Sequence, residues 1–477
     1  MPLNPFTAEP ARQYIDGEWR EIGPLEESLN PATDETLGQF HDGGLDAANE
    51  AIAAAHTAFT TTSWRTDREQ RARALWDLSL TLERNLDRIA RAITLENGKP
   101  LAQAQFELSI AAPKLRYFAG QALTDLGTAA ETPSGFSILS REPIGVAGVI
   151  VPWNSPGILS IRSIAPALAA GCTVAVKMPA QTALTNALIA GLFAETASLP
   201  AGVVNFFTES GDEGAKALVA DRRVGVISYT GSSAVGARIM AAAAPQLKRV
   251  SLELGGKTPM IVFDDADFDA VVPTLTAAVT TFAGQFCMTG SRVLAHSSVA
   301  DELRERLATS LRSVQVGPGI DPDTQMGPLI DHASVDRVSR MVGESGGEVI
   351  LAGGPTEGRG AFYRPALIGV TDLDSRLVQD EVFGPVATFE TFDSDEEAVF
   401  RANATDYGLA ASVWTRDGAR SLRVSQAIEA GTVWTNAWAQ IFDQFEEGGY
   451  KKSGLGRLNG PGGLAEFQEV KHIYRSV

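Results

Sequence analysis

The chain holds two cysteines, and only one stands where chemistry is easy to imagine. Cys287 lies in the run Phe282-Ala283-Gly284-Gln285-Phe286-Cys287-Met288-Thr289-Gly290, whose glycines and polar neighbours suggest a turn and not a packed helix face. A thiol attacks as its thiolate, and nearby donors or a helix terminus favour that form. Cys172 sits among apolar residues 168–176 and reads as inert core. On local sequence alone, nucleophile and structural thiol are even readings for Cys287. A second candidate is Glu253 in Glu253-Leu254-Gly255-Gly256-Lys257. A carboxylate at a strand end, followed by two glycines that let a chain or ligand approach closely, is well placed to act as a general base. A lone glutamate before a glycine pair is more often a solvated or ion-paired residue. The third is Ser228-Tyr229-Thr230-Gly231-Ser232-Ser233, closed by Gly236. A strand ends there in a small-residue turn that runs straight into a helix, a geometry that suits a pyrophosphate. It departs from the usual G-x-G-x-x-G, and in isolation a plain strand-to-helix turn explains it. His41, His56, His296, His332 and His472 are scattered without metal-ligand spacing, so no metal is expected. There is no G-x-S-x-G elbow and no Walker-type loop.

The elements that must hold these residues change character along the chain. The first 120 residues or so read as mostly helical: 45–59 is Ala-rich, and Arg68–Asn97 places apolar residues three and four apart, ending at Asn97-Gly98. Between Leu126 and Arg141, Gly, Thr, Ser and Pro suggest an extended ribbon outside the main body. From Pro143 onward short apolar runs (146–151, 173–176, 203–207, 224–229) alternate with helical stretches such as 158–170 and 182–197. That is the signature of a parallel sheet covered on both faces. A second α/β series is expected from Arg249, with strands at 250–254, 260–262 and 292–295 and helices at 267–283 and 299–314. Asp264, Asp265, Asp267 and Asp269 precede an apolar helix and read as capping groups, not metal ligands.

Bulk properties limit the function classes. A length of 477 residues implies two or three domains, and 44% hydrophobic with 21% charged residues is ordinary for a globular protein. The formal charge of −18 repels phosphate backbones and anionic bilayers, so neither nucleic acid nor a membrane is an expected partner. No apolar run reaches the ~18 residues of a membrane span. The scarcity of cysteine and the absence of a basic or apolar segment in residues 1–10 point to a reducing, cytoplasmic setting.

Order decides among the readings left open above. Pro152-Trp153-Asn154, Lys177-Met178-Pro179, the Thr230–Ser233 turn, Glu253–Lys257, Cys287 and Glu381-Val382-Phe383-Gly384-Pro385 follow one another as in the aldehyde dehydrogenase superfamily. The resemblance runs end to end and includes Gly449-Tyr450-Lys451-Lys452-Ser453-Gly454-Leu455-Gly456-Arg457. It implies an α/β fold with a Rossmann-like cofactor domain (1–122 and 144–251), an α/β catalytic domain (252–446), and a small β-ribbon oligomerisation unit with a C-terminal tail (123–143 and 447–477). It also implies a homo-oligomer, dimer or tetramer, and a small-molecule aldehyde as substrate. Cys287 would be the nucleophile, Asn154 the side-chain donor to the oxyanion, and Glu253 the base that activates water against a thioester.

For the cofactor, the resemblance assigns Lys177 to the adenosine ribose and Glu381 to the nicotinamide ribose. Trp153, Thr230, Gly231 and Ser232 would line the pyrophosphate and nicotinamide, with Phe383 beside the ring. Where strongly NAD-preferring members carry a glutamate, this chain has Ala180. With no carboxylate there to repel a 2′-phosphate, use of both NAD and NADP is expected. Substrate contacts are expected from Ser155, Arg162, Phe286, Met288 and Trp438, with Phe442 as a further apolar wall. Arg162 stands where relatives acting on semialdehydes or hydroxylated benzaldehydes tend to carry arginine, and it is free to bind a carboxylate or ring hydroxyl or to pair with an acid. The stretch 154–162 is most similar to aromatic-aldehyde members, with a semialdehyde as the alternative.

Overall fold

The computed structural model describes residues 5–124 and 127–476. Its core is two sheets. The first has eight strands in the order Glu18–Arg20, Gln13–Ile15, Val204–Glu209, Thr173–Pro179, Val146–Ile150, Val224–Thr230, Arg249–Glu253, Gly454–Leu455. Its five central strands are mutually parallel, and antiparallel strands close both edges. The second has seven strands in the order Glu348–Leu351, Ala366–Gly369, Val386–Phe392, Arg292–His296, Pro259–Val262, Ala410–Trp414, Thr432–Thr435. All its neighbours are parallel except the first pair.

Burial on both faces explains why the central strands are continuous apolar runs: Val146–Ile150 is buried at every position. Helix Pro156–Ala170 is buried almost all round and ends at Gly171, whose φ of 101° closes it. Helix Arg68–Asn97 starts at Asp67, which accepts from Gln70 N, and stops at Gly98 with φ 89°. Asp267 caps helix Phe268–Thr280, and Asp265 accepts from Thr415, so these acids are structural as expected.

Two sequence expectations change. The first 120 residues are mostly helical from Gly44 on, but among the described residues four unexpected short strands precede helix Gly44–Thr61, two at the edge of the first sheet and two (Leu25–Leu29, Thr36–His41) as a hairpin. Such strands of three to six mixed residues exist because a sheet edge, or for the hairpin each other, supplies their partners, which no periodicity reveals. Arg249–Glu253 does not open the second series. It is a parallel neighbour of Val224–Thr230 in the first sheet, so a division after residue 251 cuts through this strand. The ribbon is three-stranded: Thr128–Thr132, Gly135–Pro143 and the C-terminal Gln468–Ser476, with the last two paired over nine residues. Leu126, where the sequence reading begins it, lies outside the described residues, as do Met1 and the chain end at Val477.

The second sheet buries an ion pair completely. Arg292 donates through Nε and Nη2 to both oxygens of Glu390 at 2.8 and 2.9 Å, and neither side chain is exposed. Breaking such a pair from one side leaves a buried charge uncompensated. Arg292→Met is expected to destabilise the protein by about 3–5 kcal/mol, read as a lowered midpoint in urea unfolding.

Candidate active site

The carboxyl ends of parallel strands collect the predicted residues. Val146–Ile150 leads into Trp153 and Asn154, and Lys177 lies opposite Ile150 in the next strand. On the other side Thr230 is the register partner of Glu253, each at the end of its strand. Residues spread over a hundred positions thus share one edge of one sheet, where α/β proteins bind ligands.

Asn154 is held from two directions. Its side-chain Nδ2 donates to the carbonyl of Gln285 at 3.0 Å, while its own carbonyl accepts from Lys99 Nζ at 2.6 Å. Lys99 is buried; it also reaches Glu107 at 2.6 Å and Ser155 Oγ at 3.3 Å, and sits 3.7 Å from the Phe282 ring centroid. Glu107 in turn accepts from the backbone N–H groups of Gly157 and Ile158 at the start of helix Pro156–Ala170. A carboxylate against a helix N-terminus and a cation against a carbonyl make one fastened unit of the Asn154 loop. The second Asn154 N–H is left over, and the backbone N–H of Cys287 donates to no group among the described residues.

Cys287 comes from the other sheet's approach. Helix Phe268–Thr280 ends in a tight turn where Phe282 and Ala283 have φ of 52° and 55°. The Gly255-Gly256 pair explains how this loop reaches Glu253. A Cβ on Gly256 would lie 2.4 Å from the Cys287 carbonyl oxygen, and one on Gly255 2.3 Å from Glu381 Oε2. Gly256 N also donates to Glu381 Oε1 at 3.2 Å. The two glycines therefore let the thiol loop and the Glu381 segment close on the end of one strand.

Charge in this space is costly. Glu253 is buried with Oε1 lacking any partner, and burial pushes its carboxyl up to about 7, with Arg162 opposing and Glu447 reinforcing the rise. Burial likewise raises Glu381 to about 7. The Cys287 thiol is pushed up to about 12, first by desolvation, with Arg162 opposing and Glu253, Glu381 and Glu447 adding negative charge. Lys257 is buried, its Nζ unpartnered, and burial lowers it to about 7.

The remaining cofactor candidates are placed as follows. Lys177 is half-buried at the sheet's carboxyl edge, and its ammonium makes no hydrogen bond among the described residues. Ser232 Oγ caps helix Ser233–Ala243, so the positive end of that helix faces the turn. Trp153 and Phe383 meet edge to face with centroids 5.6 Å apart. This unpartnered cation, helix start and aromatic pair fit a dinucleotide. Two candidates are already engaged: Gly231 N donates to the Glu253 carbonyl, and the Thr230 hydroxyl accepts from Arg162. Beside Ala180, Pro179 pairs with Glu209, and Glu209, Asp42 and Asp212 act on Lys177 as negative charges.

Of the substrate candidates, Phe286 lies between Phe282 and Trp438, with centroids 5.6 and 6.0 Å away in near-perpendicular contacts. Trp438 Nε1 donates to the Met288 carbonyl. Met288 packs with Leu409, Ala410 and Trp434 in a small core, so its side chain is packing and not an open wall. Ser155 is tied to Lys99. Phe442 is exposed, stacked edge-on with Phe445. Arg162 is not free to bind a ligand unaided: Nη1 pairs with Glu447 Oε1 at 2.9 Å.

Lys99, Glu107, Gln285 and Glu447 escaped the sequence reading. For Lys99 the signal is the run Asn97-Gly98-Lys99-Pro100, where a lysine and a proline follow directly on the helix stop. For Glu447 the clue was an acidic pair, Glu446-Glu447, closing an aromatic-rich stretch.

The sequence model described as the Aldehyde dehydrogenase family matches residues 20–473. A betaine aldehyde dehydrogenase of Bacillus subtilis is 38% identical over 97% of both chains. A mitochondrial succinate-semialdehyde dehydrogenase of Oryza sativa subsp. japonica is 38% identical, over 96% of this chain and 88% of its own. The crystal structure of betaine aldehyde dehydrogenase from Staphylococcus aureus in complex with NAD+ superposes with a TM-score of 0.95 at 34% identity, covering 99% of this chain and 95% of that one. The chain belongs to the aldehyde dehydrogenase family and is an NAD(P)+-dependent enzyme of that class. Among the described residues no helix is long and apolar enough to cross a membrane.

With its thiol raised to about 12, Cys287 in the protein without ligands is protonated at neutral pH. Alkylation by iodoacetamide is expected to be slow at pH 7 and to keep rising beyond pH 9 without a plateau, as mass spectrometry of the Cys287 peptide will show. A plateau near pH 7 would contradict this.

Proposed function

We propose that the enzyme oxidises an aldehyde to its carboxylic acid through a thioester on Cys287. The observation that carries this reading is the pair of unused donors, the second Asn154 N–H and the Cys287 N–H, beside a thiol and an unpartnered buried carboxylate. Cys287 Sγ adds to the carbonyl carbon, and the thiol proton leaves to solvent. The oxygen, now an anion, is held by Asn154 and the Cys287 backbone. Bound NAD(P)+ supplies the acceptor for the hydride that leaves the former aldehyde carbon. The acyl group then remains on sulfur. Glu253 takes a proton from water, hydroxide adds to the thioester carbon, and the acid departs as the thiol is regenerated.

Lys177 and Glu381 are proposed to hold the two riboses, with Trp153, Thr230, Gly231 and Ser232 along the pyrophosphate and nicotinamide and Phe383 beside the ring. Ala180 leaves room for a 2′-phosphate, while Asp42, Glu209 and Asp212 weigh toward NAD+. The aldehyde itself is proposed to be aromatic, because Phe282, Phe286 and Trp438 form a continuous set of rings flanking Cys287. The semialdehyde alternative is weakened by the engagement of Arg162 with Glu447.

A homo-oligomer, dimer or tetramer, is proposed from the ribbon, which exposes Phe136, Ile138, Leu139, Val470, Ile473 and Tyr474. So many apolar side chains on one small sheet call for a second surface. Both cysteines are free, in keeping with a cytoplasmic setting.

The direct test follows absorbance at 340 nm with NAD+ or NADP+ and a panel of aldehydes. Cys287→Ala is expected to abolish cofactor reduction. Glu253→Gln is expected to release about one reduced cofactor per subunit in a burst and then stall, because acylation proceeds and hydrolysis does not. A Glu253 carboxyl near 7 must be ionised to accept the proton, so deacylation should rise from pH 6 and level off above about pH 8. A rate already flat from pH 5 would remove Glu253 from the base role.

A further inference from the structure

Arg162 is carried by helix Pro156–Ala170, whose start holds the Asn154 loop, and its side chain is buried. Nη2 donates to Thr230 Oγ1 at 3.1 Å, and Thr230 is the register partner of Glu253, so the guanidinium lies against the strand end that carries the base. Its charge acts on both Glu253 and Cys287. A buried guanidinium within electrostatic reach of the reacting sulfur is, by its chemistry, a receptor for a carboxylate, since its planar fork matches two oxygens.

In this chain the receptor is filled from within. Glu447 reaches it from the segment that precedes Gly448-Gly449, and Arg162 and Glu447 are both buried. The match is incomplete: one Nη1–Oε1 contact is made, while Arg162 Nε and Glu447 Oε2 are both buried without partners. An arginine placed only to satisfy an internal acid would be expected to use its fork on both oxygens, as Arg292 does with Glu390. The arrangement instead resembles a ligand site occupied by a side chain. A substrate carboxylate arriving here meets a cation already paired with Glu447, with the Glu253 carboxyl beside it.

We propose that Glu447 is a specificity-determining residue that stands in for a substrate carboxylate at Arg162 and so turns the site away from aldehydes bearing a distal carboxylate. This rests on the aldehyde-oxidising reading above and narrows its substrate class to uncharged or cationic aldehydes. Removing Glu447 leaves Arg162 buried without its counter-ion, and an anionic substrate then becomes the group that compensates it.

The test compares kcat/KM for 4-formylbenzoate and for the neutral, nearly isosteric 4-formylbenzamide, with NAD+ as acceptor. Both substrates pass through the same thiol and the same base, so their ratio cancels any effect of the variant on Cys287 or Glu253. Wild type should prefer the amide. Glu447→Ala should move the ratio toward the carboxylate by about tenfold or more, the range expected for one charge-assisted contact. Glu447→Gln, which preserves volume and fold, should move it in the same direction. In the double variant Arg162→Met, Glu447→Ala the gain should disappear. An unchanged ratio in both single variants, or a gain that survives loss of Arg162, overturns the proposal while leaving the enzyme's activity on the amide intact as evidence for the proposed function. Failure of wild type to oxidise the amide or any other aldehyde overturns the proposed function first, and this inference with it.

Discussion

Ionisable groups gathered where water is scarce set the terms for everything else in this site. Cys287, Glu253 and Glu381 all carry protons more tightly than they would in water, because desolvation penalises each of their anions, and at the thiol the carboxylates of Glu253, Glu381 and Glu447 add to the penalty. Arg162 opposes that tendency at the thiol and the base. A thiol in this state is a poor nucleophile until something favourable to negative charge arrives, so reactivity is tied to ligand binding and not to the protein alone. In the same low-dielectric setting that suppresses the resting thiol, the unused Asn154 and Cys287 N–H donors would act strongly on the oxyanion proposed to form between them.

Such a site requires backbone that does not yield, and the fold supplies it by layering. The strand end that carries Glu253 is flanked by Thr230 on one side and Gly454 on the other, so this carboxyl stands on a paired strand and not on a loop. The Asn154 loop lacks that support and is fastened by Lys99 and Glu107 instead. The Cys287 loop is fixed by contact: Gly256 packs against its carbonyl, and Gln285 links it both to Asn154 and, through Oε1, to Ile330 N. Two sheets from different parts of the chain are thereby tied to one another at the candidate site.

Much of this was legible in advance because it is local. The alternation of buried strands and helices after Pro143 follows from burial on both faces, which writes itself into composition. Helix ends at Gly98 and Gly171 follow from the left-handed conformation each must adopt. The order of Asn154, Lys177, Glu253, Cys287 and Glu381 identified the family before any contact was known. The early edge strands were not legible: Glu18-Trp19-Arg20 has no buried position, and it is a strand only because Gln13–Ile15 lies beside it. Neither was the place of Arg249–Glu253, since a strand's sequence does not say which sheet it will join.

The sequence by itself determined the fold class, the enzyme class and which residues are candidates for the chemistry, because those residues sit in short motifs whose types and order are dictated by chemistry. Tertiary structure decided which charges surround them. Arg162 and Glu447 are 285 positions apart, and Lys99 is 55 positions from Asn154. Each is an unremarkable charged residue in its own neighbourhood, with several possible fates. Only chain folding brings one acid to one arginine in a buried space, and at such distances Coulomb energy depends on a few ångströms that no local pattern records.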